Sequence, residues 1–222
     1  SINPFYCMAV ATPPSYPVFN EDGSYANTYP GTNVNPLRDM RTDYNRVRMT
    51  RIFGTAHGAV EIIKGLKLKE VLSYDYSIQK DARYFNALSG AGPKSGSDAQ
   101  SSKGFIEYGK LISSTSLNYV KTFANKHHLD VLAAYEAESF QTDKAAGEKS
   151  KMPSDQLFEP DNAAVINSFV SSTQDYRLLS YLTRLNYDYD NRYYIAGSFR
   201  RDGSSRLAPE HRWGNFWSVS GM

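Results

Sequence analysis

Long stretches of the sequence alternate between apolar and polar side chains with a period of two, and this pattern indicates β-strands. Successive side chains of a strand point to opposite faces, so each such segment has one apolar and one polar face. The pattern recurs along most of the chain. It predicts about seven strands, near 45–63, 66–80, 104–122, 128–142, 175–189, 192–202 and 213–222.

The last third of the chain gives the sharpest prediction about faces. An outward, lipid-facing side is expected to contain Leu179, Tyr181, Leu185, Tyr193, Ile195 and Phe199. An inward side is expected to contain Arg184, Asn186, Arg200 and Asp202. One residue breaks the pattern elsewhere. In 66–78 the apolar side is interrupted by Glu70, and the sequence offers no explanation for it.

Short and long connections alternate between the predicted strands. Short ones fall at 64–65, 125–127 and 190–191, and long ones at 85–103, 143–174 and 203–212. Bacterial outer-membrane barrels have this arrangement, with short periplasmic turns and long extracellular loops. We therefore expect 85–103 and 143–174 to lie outside the cell, where they help to surround a substrate or contact a partner lid. Tyr187, Tyr189 and Tyr193 would then belong to a periplasmic aromatic girdle.

Composition excludes several other classes of protein. The 222 residues contain no apolar run near the ~18 residues of a spanning helix, and only 41% are hydrophobic. With 25 basic and 23 acidic residues, the chain lacks the charge of a nucleic-acid-binding protein. The basic cluster Arg38 to Arg51 is interpreted as a solvated face. Cys7 is the single cysteine, so no disulfide framework is expected.

No motif predicts a catalytic, cofactor or metal site. The segment 90–96 lacks the glycine spacing of a phosphate loop. His127 and His128 are neighbours that point to opposite strand faces, and 188–191 lacks the glycine and glutamate of a calcium loop. Glu136 and Glu138 share one strand face and cannot straddle a bond between them. We therefore predict that the chain is not an enzyme.

The last third resembles the barrel of SusC-like (RagA-like) TonB-dependent outer-membrane transporters of Bacteroidetes. The resemblance depends on the segments 179–187 and 193–196, on Arg200-Arg201-Asp202-Gly203-Ser204-Ser205-Arg206, and on Arg212-Trp213-Gly214-Asn215-Phe216. Upstream, 64–68, 117–119 and 128–138 also resemble the family. The similarity covers most of 45–222 and is strongest in 176–220. Trp217 departs from it, because the family usually has proline there.

The resemblance implies a barrel of about 22 strands with an N-terminal plug, powered through TonB and capped by a SusD-like lipoprotein. It implies import of glycans or peptides across the outer membrane of a Gram-negative, Bacteroidetes-like cell. The implied partners are that lipoprotein, TonB, the remaining barrel segments, the substrate and outer-membrane lipid, without nucleic acid. Neither the plug nor a TonB-contacting segment is recognised in these residues, and no substrate-binding residue is carried over.

The sequence therefore predicts an irregular segment, 1–44, followed by part of an antiparallel transmembrane β-barrel, 45–222. The N-terminal residues do not form a signal peptide, and the run Trp213 to Met222 continues without a turn signal. A piece of a longer protein is therefore expected. About seven strands cannot close a barrel, and open edges should remain. The main alternative is a soluble all-β carbohydrate-binding domain. A passive porin or an outer-membrane barrel enzyme is a third.

Overall fold

The strands form one seven-stranded sheet in which neighbours in sequence are neighbours in space. The structure, a computed structural model, describes residues 15–26, 35–89, 98–154 and 156–222. The sheet order is β1 to β7. The bounds are β1 (Tyr44–Ile63), β2 (Leu66–Phe85), β3 (Gln100–Phe123), β4 (His127–Ser150), β5 (Val165–Tyr189), β6 (Tyr193–Ser204) and β7 (Trp213–Gly221). The predicted all-β fold and the seven strands are confirmed.

The chain divides into two compact units. The first contains the described parts of 1–50, 78–107 and 143–172. It includes the connections 86–89 and 98–99 after β2, and 151–164 between β4 and β5. The second contains 51–77, 108–142 and 173–222. It includes β6, β7 and the three short turns. Each unit is described separately below.

The register of β5, β6 and β7 separates the two predicted sets of side chains. Residues that pair directly across antiparallel strands share a face. Tyr187 pairs with Ile195, and Thr183 pairs with Phe199, which pairs in turn with Trp217. On the other side, Arg184 pairs with Ser198, and Ser180 pairs with Asp202. The apolar set and the polar set therefore lie on opposite faces of the sheet, as the alternation predicts.

The turns after β3 and β5 have three residues each, and each contains a pair of residues with left-handed backbone. Asp190 and Asn191 both have positive φ, 53° and 52°, inside a turn closed by the Arg192 amide and the Tyr189 carbonyl. Ala124 and Asn125 repeat this between Phe123 and Lys126, with φ of 50° and 53°. Left-handed pairs match the twist of the flanking strands, and Asn and Asp tolerate this conformation best. The two turns occupy 124–126 and 190–192, within one residue of the predicted 125–127 and 190–191.

Several strands are longer than the alternation indicates. β2 continues to Phe85, β4 continues to Ser150, and β5 begins at Val165. The long connections are therefore 86–99 and 151–164, not 85–103 and 143–174. Residues 143–150 place charged and small side chains on both faces, so hydrophobicity shows no period there. Ladder hydrogen bonds need no apolar face, and the strand continues. The glycine-rich part of the first connection, 90–97, lies outside the described residues.

A short helix, α1 (Pro36–Thr42), lies in the segment that the sequence predicted to be irregular. Asn35 caps it by accepting a hydrogen bond from the Arg38 amide. Pro36 occupies the first turn, where a backbone N–H has no partner within the helix, so the missing N–H of proline costs nothing. Seven residues are too few to show a helical period. Arg38 is buried and paired with Asp39, so the interpretation of Arg38 to Arg51 as a solvated face is wrong at this residue. No helix in the described residues is long and apolar enough to cross a membrane.

Large apolar side chains are mostly uncovered. The buried apolar residues among those described are Ala26, Tyr84, Ala99 and Ala163. By contrast, Leu185 is 43% exposed, Ile195 57% and Phe199 45% on the apolar face of β5 and β6. A soluble domain buries such a face, because extensive exposed apolar surface marks an interaction with a partner or with lipid. The described part of the chain supplies no second layer to cover it.

Candidate functional site

A row of charged and aromatic side chains crosses the polar face of the second unit. We name it the polar ladder, and it consists of Arg51, Asp75, Lys110, Glu138, Tyr176 and Arg206. Five of its members lie on five successive strands, β1 to β5, and Arg206 follows β6. Tyr176 is separated from Ser180 by an even number of residues on β5, so it shares the polar face defined by the register.

Contacts between neighbouring members connect the ladder. Arg51 contacts Asp75 with two hydrogen bonds, of 2.8 and 2.6 Å. Lys110 Nζ lies 3.0 Å from a carboxylate oxygen of Glu138, and Asp75 is close enough to attract Lys110. The Tyr176 hydroxyl donates to Glu138 at 2.9 Å, while the Arg206 guanidinium lies 3.9 Å from the centre of the Tyr176 ring. Positive and negative groups thus alternate across the face.

Two further polar clusters share this face. Asn118 donates to Asp130 at 2.7 Å, and Arg184 lies 3.9 Å from the same carboxylate. Arg200 donates to Asp202 at 2.8 and 2.9 Å. A face with this density of charge and hydrogen-bonding groups suits water and polar solutes. It does not suit hydrocarbon, in which each unpaired polar group costs several kcal/mol.

Aromatic rings form two rows on the opposite, apolar face. The turn-side row comprises Phe123, His127, Tyr187 and Tyr189. His127 stacks on Phe123 at 4.9 Å and shares a 2.7 Å hydrogen bond with the Tyr187 hydroxyl. The loop-side row comprises Tyr135, Tyr181 and Trp213, with ring centres 5.4 and 6.0 Å apart. The predicted girdle tyrosines Tyr187 and Tyr189 therefore belong to a wider aromatic cluster.

Gly203 is required for the loop-side row. Trp213 lies flat over it, so a Cβ atom built at Gly203 would fall 2.9 Å from the indole ring. Because β6 has no side chain at this point, Trp213 of β7 reaches across it to stack on Tyr181 of β5. The sequence resemblance includes Gly203 and Trp213 without showing this contact.

Glu70, which interrupts the apolar pattern of β2, is explained by its neighbour β3. Ser113 Oγ donates to one Glu70 oxygen at 2.7 Å, and the Thr115 hydroxyl donates to the other. The two hydroxyls lie two residues apart, on the same face of β3. The carboxylate is thus satisfied by a pair of donors that the pattern of β2 alone does not reveal.

The motifs weighed from the sequence have separate environments. Glu138 is engaged by Lys110 and Tyr176, whereas Glu136 is exposed, and the two form no shared site. His127 bonds to Tyr187 and His128 to Thr122, on opposite faces as expected. In the described ranges, no group of three or more His, Cys, Asp or Glu side chains could hold a metal ion.

In the first unit, the connection between β4 and β5 is fixed by an aromatic cluster. Phe158 contacts Tyr44 and Tyr84 with ring-centre distances of 5.6 and 6.2 Å, and Tyr84 is only 2% exposed. The fully buried Ser101 donates to the Phe158 carbonyl at 2.6 Å, and Lys103 pairs with Glu159. This connection is therefore an ordered, docked element of the unit.

Asp43 holds the start of the connection after β2. Its carboxylate accepts hydrogen bonds from the Asn86 amide, at 2.9 Å, and from the Ser89 hydroxyl. Burial raises the pKa of the Asp43 carboxyl, while these two donors act in the opposite direction. The described residues of this connection, like those between β4 and β5, are tied to the strands beside them.

Comparison with known proteins shows which proteins the chain resembles. No family model matches the chain. Two TonB-dependent receptors of Formosa agariphila are 28% and 24% identical to it, over 90% and 91% of its length. The TonB-dependent receptor SusC of Bacteroides thetaiotaomicron is 40% identical over 62 residues, 28% of the chain and 6% of SusC. The resemblance to SusC-like TonB-dependent receptors is confirmed.

Solved structures show the same fold. The RagAB peptide transporter matches 92% of the chain at a TM-score of 0.77 and 20% identity. The RagAB peptide importer in the closed-closed state matches 95% at a TM-score of 0.79, also at 20% identity. These matches cover 23% and 24% of the solved chains, and the chain spans about a fifth of the length of the Formosa agariphila TonB-dependent receptors. The seven strands thus have the fold of part of a TonB-dependent receptor barrel.

Proposed function

We propose that the chain forms seven adjacent strands in the barrel of an outer-membrane, TonB-dependent transporter, which imports glycans or peptides together with a SusD-like lipoprotein. The observation that supports this most strongly is the contrast between the faces. One face has exposed Leu185, Ile195 and Phe199, and the other has the polar ladder. A wall between lipid and an aqueous lumen needs this contrast, because lipid-facing and lumen-facing residues alternate in barrel strands.

The two aromatic rows support a membrane boundary at each end of the apolar face. Between Tyr181 and Tyr189, β5 advances about 26 Å at ~3.3 Å per residue. A tilt of about 40° reduces this to roughly 20 Å along the bilayer normal, near the ~25 Å apolar band of such barrels. β3 and β4 have 24 residues each, more than twice the ~9–11 that a crossing needs. The loop-side parts of these strands would extend beyond the membrane.

Both outer strands need partners if the sheet spans a bilayer. β1 and β7 are the edges of the sheet, and neither pairs with the other within the described residues. An unpaired backbone group in hydrocarbon costs several kcal/mol, so only closed sheets span membranes. We propose that other barrel segments of the same protein supply these partners and that its plug and TonB-contacting parts lie outside 1–222.

The proposed alternatives make different predictions about the parent protein. A soluble carbohydrate-binding domain would remain in solution without detergent, and its apolar face would need another cover. A passive porin would import its substrate without TonB. We propose transport without catalysis, because Glu138 is committed to Lys110 and Tyr176. Hydrolysis of a glycan by the purified protein, abolished by Glu136→Gln or Glu138→Gln, would contradict this.

Uptake by cells that produce the full-length parent protein tests the proposed function. Uptake of a defined mixture of oligosaccharides and oligopeptides should stop when TonB is removed and fall when the partner lipoprotein is removed. Protease should reach 151–164 in intact cells if this connection is extracellular. Unchanged uptake without TonB would establish a passive pore, and cleavage only after the outer membrane is broken would reverse the topology.

Exchanging the charges of the polar ladder tests whether it works as a unit. Lys110→Glu and Glu138→Lys each place like charges together and should each destabilise the parent protein by about 1 kcal/mol, the upper range for partly exposed pairs. The double variant restores an opposite pair and should recover part of this loss, because the acidic side chain at position 110 still lies near Asp75. Denaturation midpoints of the extracted single and double variants measure the stability loss and its recovery. Losses that simply add would show that the two side chains do not interact.

A further inference from the structure

A shallow depression lies on the apolar face of the second unit, beside the loop-side aromatic row. Its volume is about 440 Å³, and it is bordered by Leu111, Leu179 and Trp213. Small residues at its floor, among them Ser113, Ala137 and Gly203, leave the space open. Leu179, Gly203 and Trp213 are paired across β5, β6 and β7, so this border of the depression lies on the apolar face, while Glu138, Leu178 and Ser204 also line it.

Three arginines surround this depression and lack acidic partners. Arg177 and Arg212 line it, and Arg201 lies 4.9 Å from the centre of the Trp213 ring. Arg212 also borders a second hollow beside Asp202, and its Nε donates to the Leu207 carbonyl at 3.1 Å. All three are exposed. Among the described residues no carboxylate lies within ion-pair distance of them, whereas Arg51, Arg184, Arg192 and Arg200 each have one. Three arginines without an acidic partner therefore lie beside this depression in the second unit, while Arg46, Arg48 and Lys80 line a separate hollow in the first unit.

We propose that this cluster, Arg177, Arg201 and Arg212 around the depression, binds the phosphate of a membrane lipid at the loop-side surface of the bilayer. The inference rests on the proposed function, which places this face against lipid. Trp and Tyr concentrate where hydrocarbon meets headgroups, so the loop-side row marks headgroup level. Guanidinium groups bind phosphate bidentately, and basic residues at that level attract anionic lipid.

The surrounding groups suit a phosphate and not a transported substrate. A solute in the lumen would meet the polar ladder, on the opposite face. Glu138, which also lines the depression, is held by Lys110 and Tyr176. Glu70 is held by the hydroxyls of Ser113 and Thr115, and Asp175 lies two residues from Arg177 but outside ion-pair distance of any arginine. The local balance stays positive, which complements a phosphate whose acyl chains lie along the apolar face.

Lipid retention by the full-length parent protein tests this site. The protein is purified in mild detergent and incubated with dioleoyl phosphatidic acid or with dioleoylglycerol, which has the same chains without the phosphate. Native mass spectrometry then counts the bound lipid. A triple variant, Arg177→Gln with Arg201→Gln and Arg212→Gln, should weaken phosphatidic acid binding at least about tenfold, given the favourable contribution of each basic residue near a lipid headgroup.

A matched control removes three exposed positive charges from the other end of the strands, through Lys121→Gln, Lys126→Gln and Arg192→Gln. This variant should retain phosphatidic acid like the unaltered protein. Equal losses in both variants, equal binding of dioleoylglycerol, or equal displacement by inorganic phosphate alone would overturn the lipid site. Those results would leave an inserted, detergent-requiring protein and so would not affect the proposed function. A parent protein soluble without detergent would contradict both.

Discussion

Leu185→Arg is expected to destabilise the membrane-inserted parent protein by about 2–4 kcal/mol, the cost of a basic residue near the middle of the lipid face of a barrel. Leu185 is 43% exposed on the apolar face, and it lies on β5 between the two aromatic rows. Its paired residue on β6 is Gly197, which offers no carboxylate. The guanidinium would have to enter hydrocarbon or distort the bilayer.

The next residue along β5 provides the control. Asn186 pairs with Ala196 on the polar face, so Asn186→Arg adds the same side chain at almost the same depth but towards the lumen. It should change stability by less than about 0.5 kcal/mol, as surface substitutions usually do. Denaturant unfolding of the two variants in lipid vesicles gives both values. Equal destabilisation by the two would show that the faces do not differ as proposed.

Gly65→Ala should cost about 2–6 kcal/mol, the sum of backbone strain and a steric clash, and is expected to disrupt the β1–β2 hairpin. Gly65 has φ of +87°, where a residue with a Cβ atom is strained by roughly 1–3 kcal/mol. The added Cβ would also fall 2.3 Å from the Val120 carbonyl oxygen. This oxygen belongs to the backbone of β3 and cannot move away easily. That clash adds about 1–3 kcal/mol, as overpacking generally does.

Gly58→Ala is the matched substitution, because Gly58 lies in β1 and a Cβ atom there would meet nothing within 4 Å. It should be neutral or slightly stabilising, since alanine restricts the unfolded chain more than glycine does. Comparison of the two unfolding midpoints checks the prediction. A Gly65→Ala variant as stable as Gly58→Ala would show that the turn does not pack against β3 as described.

The strands and their faces could be predicted because period-two alternation is a local property of each strand. Leu185 beside Asn186, and Ile195 beside Ala196, show their faces without any knowledge of the partner strand. The extensions of β4 and β5 could not be predicted in this way, because 143–150 has no apolar face to alternate. α1 could not be predicted because seven residues are too few to show a helical period. It begins with one cap, Asn35, and the proline that follows it.

The polar ladder depends on register, which no single strand contains. Glu138 was recognised together with Glu136, its neighbour on the same strand, but its partners are Lys110 on β3 and Tyr176 on β5. Glu70 cannot be explained from β2 alone, because the hydroxyls that bind it, Ser113 and Thr115, lie on β3. The stacking of Trp213 on Tyr181 across Gly203 likewise joins three strands. Sequence alone shows which residues are present, and pairing decides which of them meet.

The central claim, that β5 separates lipid from an aqueous lumen, is tested most directly by a cysteine scan. Single cysteines replace residues 181–188 one at a time in the full-length parent protein, in which Cys7 is changed to serine. Each variant is placed in intact vesicles and treated with a water-soluble thiol reagent that does not cross membranes. The account predicts that the even positions, which include Arg184 and Asn186, react and that the odd positions, which include Leu185, do not. Equal reaction at both sets, or reaction of the odd set alone, would contradict it.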